Sequence, residues 1–292
     1  MLKTVKEALA VELFPSVLAG GLSIAVMGSP GTGKSTLAGS AAALGKTVLL
    51  APKPRETNSW KYRENAHNIT REIYYDAKWN SVIKNFEADA FVRLQQRVYA
   101  LMEDTEHQIV IVDPFTDVVT LASHELLKGE QAATPRDLRD PLGFYGSLKH
   151  LLLAFTQSLT MLQFAPVPKH VIVTVHTQPA KEEQQVPRSQ GGGNKPSADK
   201  VAQGVEFEGQ VLPMIEGAYR RAFAGEFDMV CFTDIVFEKA LVHGKMEKTT
   251  RYVLQVQPDA ERHAKSVLGP VAHATVENDF AAILRLISGG AK

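Results

Sequence analysis

The chain has 292 residues, 45% of them apolar and 22% charged, which supports a substantial buried core and excludes global disorder. Lys plus Arg equal Asp plus Glu at 32 each, so the chain does not coat nucleic acid by bulk charge, although a local basic surface stays open. A single cysteine, Cys231, excludes an intramolecular disulfide framework and a Cys-rich zinc site. Glu7 and Glu12 interrupt the apolar N-terminal stretch, and no apolar run approaches the roughly 18 residues of a membrane span. These features predict a cytoplasmic protein without a membrane segment.

In chain order, residues 22–27 form an apolar run between Gly20-Gly21 and Gly28, as suits a parallel strand buried on both faces. A helix is predicted from Lys34 to about Leu44, with Leu37, Ala38, Ala41 and Leu44 at helical spacing and Gly45 as its stop. Residues 46–50 are a second strand, stopped by Pro52 and Pro54. Residues 53–80 have no clear period and read as a loop-rich connection holding Trp60 and Trp79. An amphipathic helix is predicted over 86–104 and a third strand over 107–112, ending at Asp113-Pro114. Residues 123–140 read as a polar loop, 142–164 as a helix and 169–175 as a fourth strand. Residues 178–204, with Gly191-Gly192-Gly193 and three prolines, cannot bury enough apolar surface to offset their ordering entropy and are expected to be mobile. A helix near 210–223, strands at 228–233, 235–242 and 251–257, and a helix over 276–287 complete the series. Strands alternating with helices predict one doubly wound α/β domain spanning 1–292, with 1–20 as an N-terminal segment.

Gly28-Ser29-Pro30-Gly31-Thr32-Gly33-Lys34-Ser35 matches the phosphate-loop pattern G-x-x-x-x-G-K-S/T, placed between a buried strand and a helix as its mechanism requires. Glycines let backbone N–H groups curl around an anion, and Thr36 continues the loop into the helix. Lys34 is expected to reach the β- and γ-phosphates and Ser35 to ligate Mg²⁺. No Asn-Lys-x-Asp string is present, so ATP is expected rather than GTP. Asp113, at the tip of a neighbouring strand, is the candidate to hold the metal with Ser35. No Glu follows Asp113, so Glu56, just past the second strand, is the candidate to orient or deprotonate water, with Asp117 as a second. His176 ends the fourth strand, where a parallel sheet presents ligand-facing residues, and is expected to meet the γ-phosphate.

On the strength of residues 28–36, the strand ending at Asp113, residues 171–176, and the tail elements 212–213, 227–232, 251–254, 265–269 and 280–287, the sequence resembles the phage RecA-like ATPases linked to single-strand annealing and recombination. The match spans most of 22–287. The resemblance implies a RecA-like P-loop core whose doubly wound, mostly parallel sheet carries a C-terminal antiparallel extension. It also implies a homo-oligomeric ring or filament, single-stranded DNA as a partner, and a single-strand-binding or recombination protein as a possible further one. If phage-encoded, the protein would act in the host cytoplasm. Two loops, 123–140 and 178–204, would meet DNA phosphates through Arg136, Arg139, Lys181, Arg188, Lys195 and Lys200. A cation from one subunit would complete the next subunit's site, with Arg251 and Lys265 as the first candidates and Lys245 and Lys248 beside them. The chain departs from the family pattern in reading Ala51-Pro52-Lys53-Pro54-Arg55-Glu56 after the second strand and Ser266-Val267 after Lys265. A DNA motor and a nucleotide-gated protein-binding switch with little turnover are the competing functions.

Overall fold

The computed structural model describes residues 20–60, 64–75, 78–82, 85–179, 211–215, 219–242, 245–259, 262, 264–266 and 275–287. Strand β1 (Ser23–Gly28) leads through the glycine-rich loop into α1 (Lys34–Ser40) and a 3-10 turn (Ala41–Ala43). Then follow β2 (Thr47–Ala51), a 3-10 segment (Pro54–Trp60), β3 (Ile69–Ile73), a small antiparallel pair β4 (Lys78–Asn80) and β5 (Asn85–Glu87), and α2 (Ala90–Ala100). Next come β6 (Ile109–Val112), α3 (Phe115–Gly129), α4 (Pro141–Thr160), β7 (His170–Pro179), β8 (Val211–Pro213) and the short α5 (Tyr219–Ala222). The chain ends with β9 (Met229–Val242), β10 (Lys245–Gln255), β11 (Lys265–Ser266), β12 (Thr275–Glu277) and α6 (Phe280–Ile287).

The main sheet runs β12-β10-β9-β1-β7-β6-β2-β3. From β9 to β3 every neighbour is parallel, whereas β10, β11 and β12 add antiparallel pairs. This is the mostly parallel α/β sheet with a C-terminal antiparallel extension expected of a RecA-like core. Alternation along the strands divides the core in two. Ala25, Met27, Val48, Leu50, Val110, Val112, Val171 and Val173 face α2, α3 and α4. Ile24, Val26, Leu49, Ile109, Ile111 and Ile172 face α1 and α6. Strands buried on both faces read as unbroken apolar runs, which is why they were legible.

Several predicted elements are corrected. The connection 53–80 contains β3, an edge strand whose exposed Thr70 and Arg71 hide any apolar alternation. The polar segment 123–140 is helical as far as Gly129, because Leu127 anchors α3 in the core despite the charges around it. The helix predicted near 210–223 gives way at its start to β8, whose Pro213 pairs with Thr177, and among the described residues of that range Tyr219–Ala222 are α-helical. The strands at 228–233 and 235–242 are one strand, β9. In the last predicted helix, residues 275–277 are β12, and α6 starts only after Asp279, whose side chain accepts from the Ala281 amide at 2.7 Å. Of the segment 178–204, Gln178 and Pro179 belong to β7; residues 180–204, like residues 1–19, lie outside the described residues. Among the described residues no helix is long and apolar enough to cross a membrane.

β9 and β10 outrun the sheet. β9 leaves β1 after the Met27–Phe232 pair, and among the described residues, 234–242 pair only with β10. Nine extended residues carry this hairpin about 30 Å past the glycine-rich loop.

Candidate nucleotide-binding site

The loop between β1 and α1 is shaped by three glycines. Gly31 and Gly33 have φ of 82° and 95°, in the region that side chains disfavour. Successive amides turned this way form a concave nest suited to an anion. At Gly28 the requirement is space: a Cβ would fall 2.4 Å from Thr233 Oγ1 and 2.6 Å from Thr32 Oγ1. Those two hydroxyls are themselves hydrogen-bonded at 2.6 Å, and Thr32 also donates to the Ser29 carbonyl at 2.8 Å. The loop is thus fastened to the root of the β9–β10 hairpin.

Lys34 is buried, and its ammonium donates to the Gly28 and Ser29 carbonyls at 2.8 and 2.7 Å. Burial lowers its pKa to about 8, against the opposing pull of Asp113 and Glu56. Two neutral carbonyls leave this cation under-compensated, and phosphate oxygens would answer that need. Ser35 Oγ donates to Asp113 Oδ2 at 2.7 Å. Trp60 Nε1 donates to the same oxygen at 3.0 Å, and the Thr174 hydroxyl donates to Asp113 Oδ1. Asp113 is only 3% exposed, so these donors hold the carboxylate at the strand tip.

Glu56 lies on the 3-10 segment after β2, half-buried. Its pKa is raised, first by burial and then by the charges of Asp113 and Asp117. Asp117 is taken by Lys53, with which it forms a close ion pair. His176 lies opposite Gly28 in the β1–β7 register. Its backbone amide donates to Thr116 Oγ1 at 3.1 Å, while its Nδ1 is buried and lacks a hydrogen-bond partner among the described residues. Burial, followed by the Lys34 charge, lowers its pKa, so the ring is neutral at pH 7.

The fold therefore gathers Gly28–Thr36, which includes Lys34 and Ser35, with Glu56, Asp113 and His176 from four segments. It does not gather Arg251 and Lys265. Arg251 is exposed on the projecting hairpin, opposite Val236. Lys265 pairs with Val230, level with Ala25, and its ammonium donates to the Ala224 and Gly225 carbonyls at 3.3 and 2.9 Å. Side chains over 238–249, including Lys245 and Lys248, lie outside the described residues.

Sequence reasoning missed Trp60, Thr174, Thr233 and Asn278. Thr174 carried a signal, as the polar interruption in an apolar strand buried on both faces. Trp60 carried none, because its contact with Asp113 spans 53 positions. Asn278 donates through Nδ2 to the Gly33 carbonyl at 3.0 Å across 245 positions, which is equally invisible in one dimension.

The donor set fits Mg²⁺. This hard cation takes one or two protein oxygens and completes its shell with phosphate and water, and Ser35 and Asp113 offer one hydroxyl and one carboxylate.

No curated protein matches the chain. Among solved structures, the flagellar accessory protein FlaH from Methanocaldococcus jannaschii is 12% identical, with 85% of this chain and 90% of that chain covered at a TM-score of 0.37. The RadB recombinase is 13% identical, with 81% and 80% covered at 0.37. An ATPase from the type III secretion system of pathogenic bacteria is 16% identical, with 77% and 54% covered at 0.35. A family model described as an AAA domain matches residues 20–268. With that match across most of its length, and with its phosphate loop set in a mostly parallel sheet, the chain belongs to the AAA-domain family of P-loop ATPases.

Proposed function

We propose that the protein binds ATP with Mg²⁺ in the 28–36 loop and hydrolyses its terminal phosphoanhydride bond. The observation that carries this reading is the triply anchored Asp113 beside Ser35, with the buried Lys34 ammonium close enough for their charges to interact. The loop amides hold the phosphates. Lys34 exchanges its two carbonyl partners for β- and γ-phosphate oxygens. The Ser35 hydroxyl and the Asp113 carboxylate would hold Mg²⁺, which would supply charge neutralisation for the phosphates. Glu56 takes a proton from the attacking water; its raised proton affinity makes it a better acceptor than a solvated carboxylate. The neutral His176 ring hydrogen-bonds the terminal phosphate and so registers its presence.

We further propose that turnover is coupled to single-stranded DNA in annealing or recombination of the phage type, within a ring or filament. The resemblance of the sequence supports this, and so does the position of His176. The segment carrying Lys181, Arg188, Lys195 and Lys200 leaves β7 three residues after His176 and returns at β8. There β8 pairs with residues 177–179, and the Met214 amide donates to the His176 carbonyl at 2.7 Å. In this reading Arg251, on the hairpin about 10 Å past the loop, completes the site of a neighbouring protomer.

The test is ATPase rate with and without single-stranded DNA, run beside strand-annealing and unwinding assays. Stimulation and annealing without unwinding are expected. Unwinding would favour a motor, and tight ATP binding without turnover under either condition would favour a nucleotide-gated switch. Lys34→Ala should abolish turnover; unchanged hydrolysis in that variant defeats the site assignment.

A further inference from the structure

The sheet order divides the site into two halves. Glu56 follows β2, Asp113 ends β6 and His176 sits on β7, all on one side of β1. A triphosphate with its terminal phosphate among these groups must direct its nucleoside to the other side, over β9, β10 and β12. Two side chains wait there against Gly33. A Cβ on Gly33 would fall 2.6 Å from Asn278 Nδ2 and 3.0 Å from Tyr252 Cδ1, so the amide and the ring flank the loop together. Tyr252 is 43% exposed on β10, and Asn278 directly follows β12.

The amide of Asn278 has a fixed sense. Its partner is a carbonyl, the Gly33 oxygen at 3.0 Å, which only the NH₂ group can satisfy. The other end, Oδ1, is buried and has no hydrogen-bond partner among the described residues. A buried acceptor left unpaired is costly, and a donor that completes it is favoured. Adenine presents an exocyclic NH₂ donor at C6, whereas guanine presents an O6 acceptor there.

We infer that Tyr252 and Asn278 form the base-reading half of the nucleotide site. Tyr252 stacks on the purine, and Asn278 Oδ1 accepts from the adenine 6-amino group and repels guanine O6. This rests on the nucleotide-binding reading above and adds the origin of its base selectivity. The same amide ties the base to Gly33, so base recognition and loop geometry share one side chain.

The experiment is calorimetry with Mg²⁺ on the full chain, using tripolyphosphate and non-hydrolysable analogues of ATP, GTP and purine riboside triphosphate, which lacks the 6-amino group. Wild type should bind the ATP analogue about tenfold more tightly than the desamino analogue, the usual order for one hydrogen bond to a buried acceptor, and should discriminate more strongly against the GTP analogue. Asn278→Ala should close the first gap to within about threefold. Tyr252→Ala should weaken both purine analogues by about tenfold or more, and Tyr252→Phe should restore them. Tripolyphosphate affinity should be unchanged in both Tyr252 variants, whereas Asn278→Ala, which also frees the Gly33 carbonyl, is read from the ratio of the ATP and desamino analogues and not from absolute affinity. Equal wild-type binding of the ATP and desamino analogues overturns the inference without involving any variant, as does selectivity that survives Asn278→Ala. Failure of wild type to bind tripolyphosphate and every nucleotide sinks the nucleotide-binding reading instead, so the two failures are distinguishable.

Discussion

Asp113 at the tip of β6 accepts from Ser35, Trp60 and Thr174, and these three donors fix its orientation. Trp60→Phe keeps an aromatic ring in the buried position and removes one charge-assisted hydrogen bond; Thr174→Val does the same on the other oxygen. Each should lower kcat by roughly tenfold or more, the scale of one hydrogen bond to a charged group, with a smaller change in nucleotide affinity. Steady-state kinetics on the two variants check this, and an unchanged kcat in both would remove their positioning role. Lys34 supplies a pH prediction. Its pKa without nucleotide is lowered to about 8, and bound phosphates must raise it again. Below pH 8 the ammonium is charged in both states and affinity is flat. Above pH 8 the free protein loses this proton while the complex keeps it, so affinity should fall by up to about tenfold per pH unit, with proton uptake on binding. Calorimetry in buffers of different ionisation enthalpy between pH 7 and 9.5 reads both; proton-neutral binding at pH 9 would contradict the lowered value.

Among the elements, the loop and the C-terminal strands behave as one piece. Gly28 fits because it has no side chain to meet Thr32 and Thr233, so Gly28→Ala must break the Thr32–Thr233 hydroxyl pair or push β9 away from the loop. ATP binding should fall at least about tenfold in this variant, since a contact near 2.4 Å cannot be relaxed without moving backbone or the paired hydroxyls. At the opposite end of the sheet, His170 begins β7, is 4% exposed and packs edge-on against Phe280 of α6 with ring centroids 5.5 Å apart. Burial lowers its pKa from 6.5 to about 4. The unfolded chain therefore takes up a proton below pH 6.5 that the folded chain refuses until about pH 4. Stability should fall across that window by about 3 kcal/mol from this group, and should be fully present above pH 6.5. His170→Gln should flatten that part of the acid dependence. Urea unfolding at pH 7 and pH 4.5 compares the two, and an identical pH dependence would exclude His170 as a source.

For the whole molecule, the decisive feature is which of the candidate residues the chain leaves apart from the site. The loop, Ser35, Asp113, Glu56 and His176 come together within one chain, whereas Arg251 stands on a hairpin that leaves the sheet. If that hairpin completes a neighbour's site, Arg251→Ala and Lys34→Ala should each be inactive alone. Mixed in equal amounts, they should recover part of the ATPase rate, because some junctions then pair an intact loop with an intact arginine. Rates across a series of mixing ratios make the measurement, and no recovery at any ratio rules out action in trans.

Sequence alone determined the phosphate loop, the parallel strands and the placing of Ser35, Asp113 and His176. Strands buried on both faces must be continuously apolar, and a loop that wraps phosphate must be rich in glycine at fixed intervals, so both constraints are written locally. Edge strand β3, the helical start of 123–140 and the strand β8 escaped because half-exposed elements mix polar and apolar residues without a clean period. What only the tertiary structure decided was the company these residues keep. Trp60 and Thr174 on Asp113, Thr233 on Gly28, and Asn278 and Tyr252 on Gly33 are contacts between segments 53 to 245 positions apart. No spacing rule encodes such pairs, because the sheet order that brings them together arises from packing two helical layers onto one sheet, and that order is a property of the assembled core.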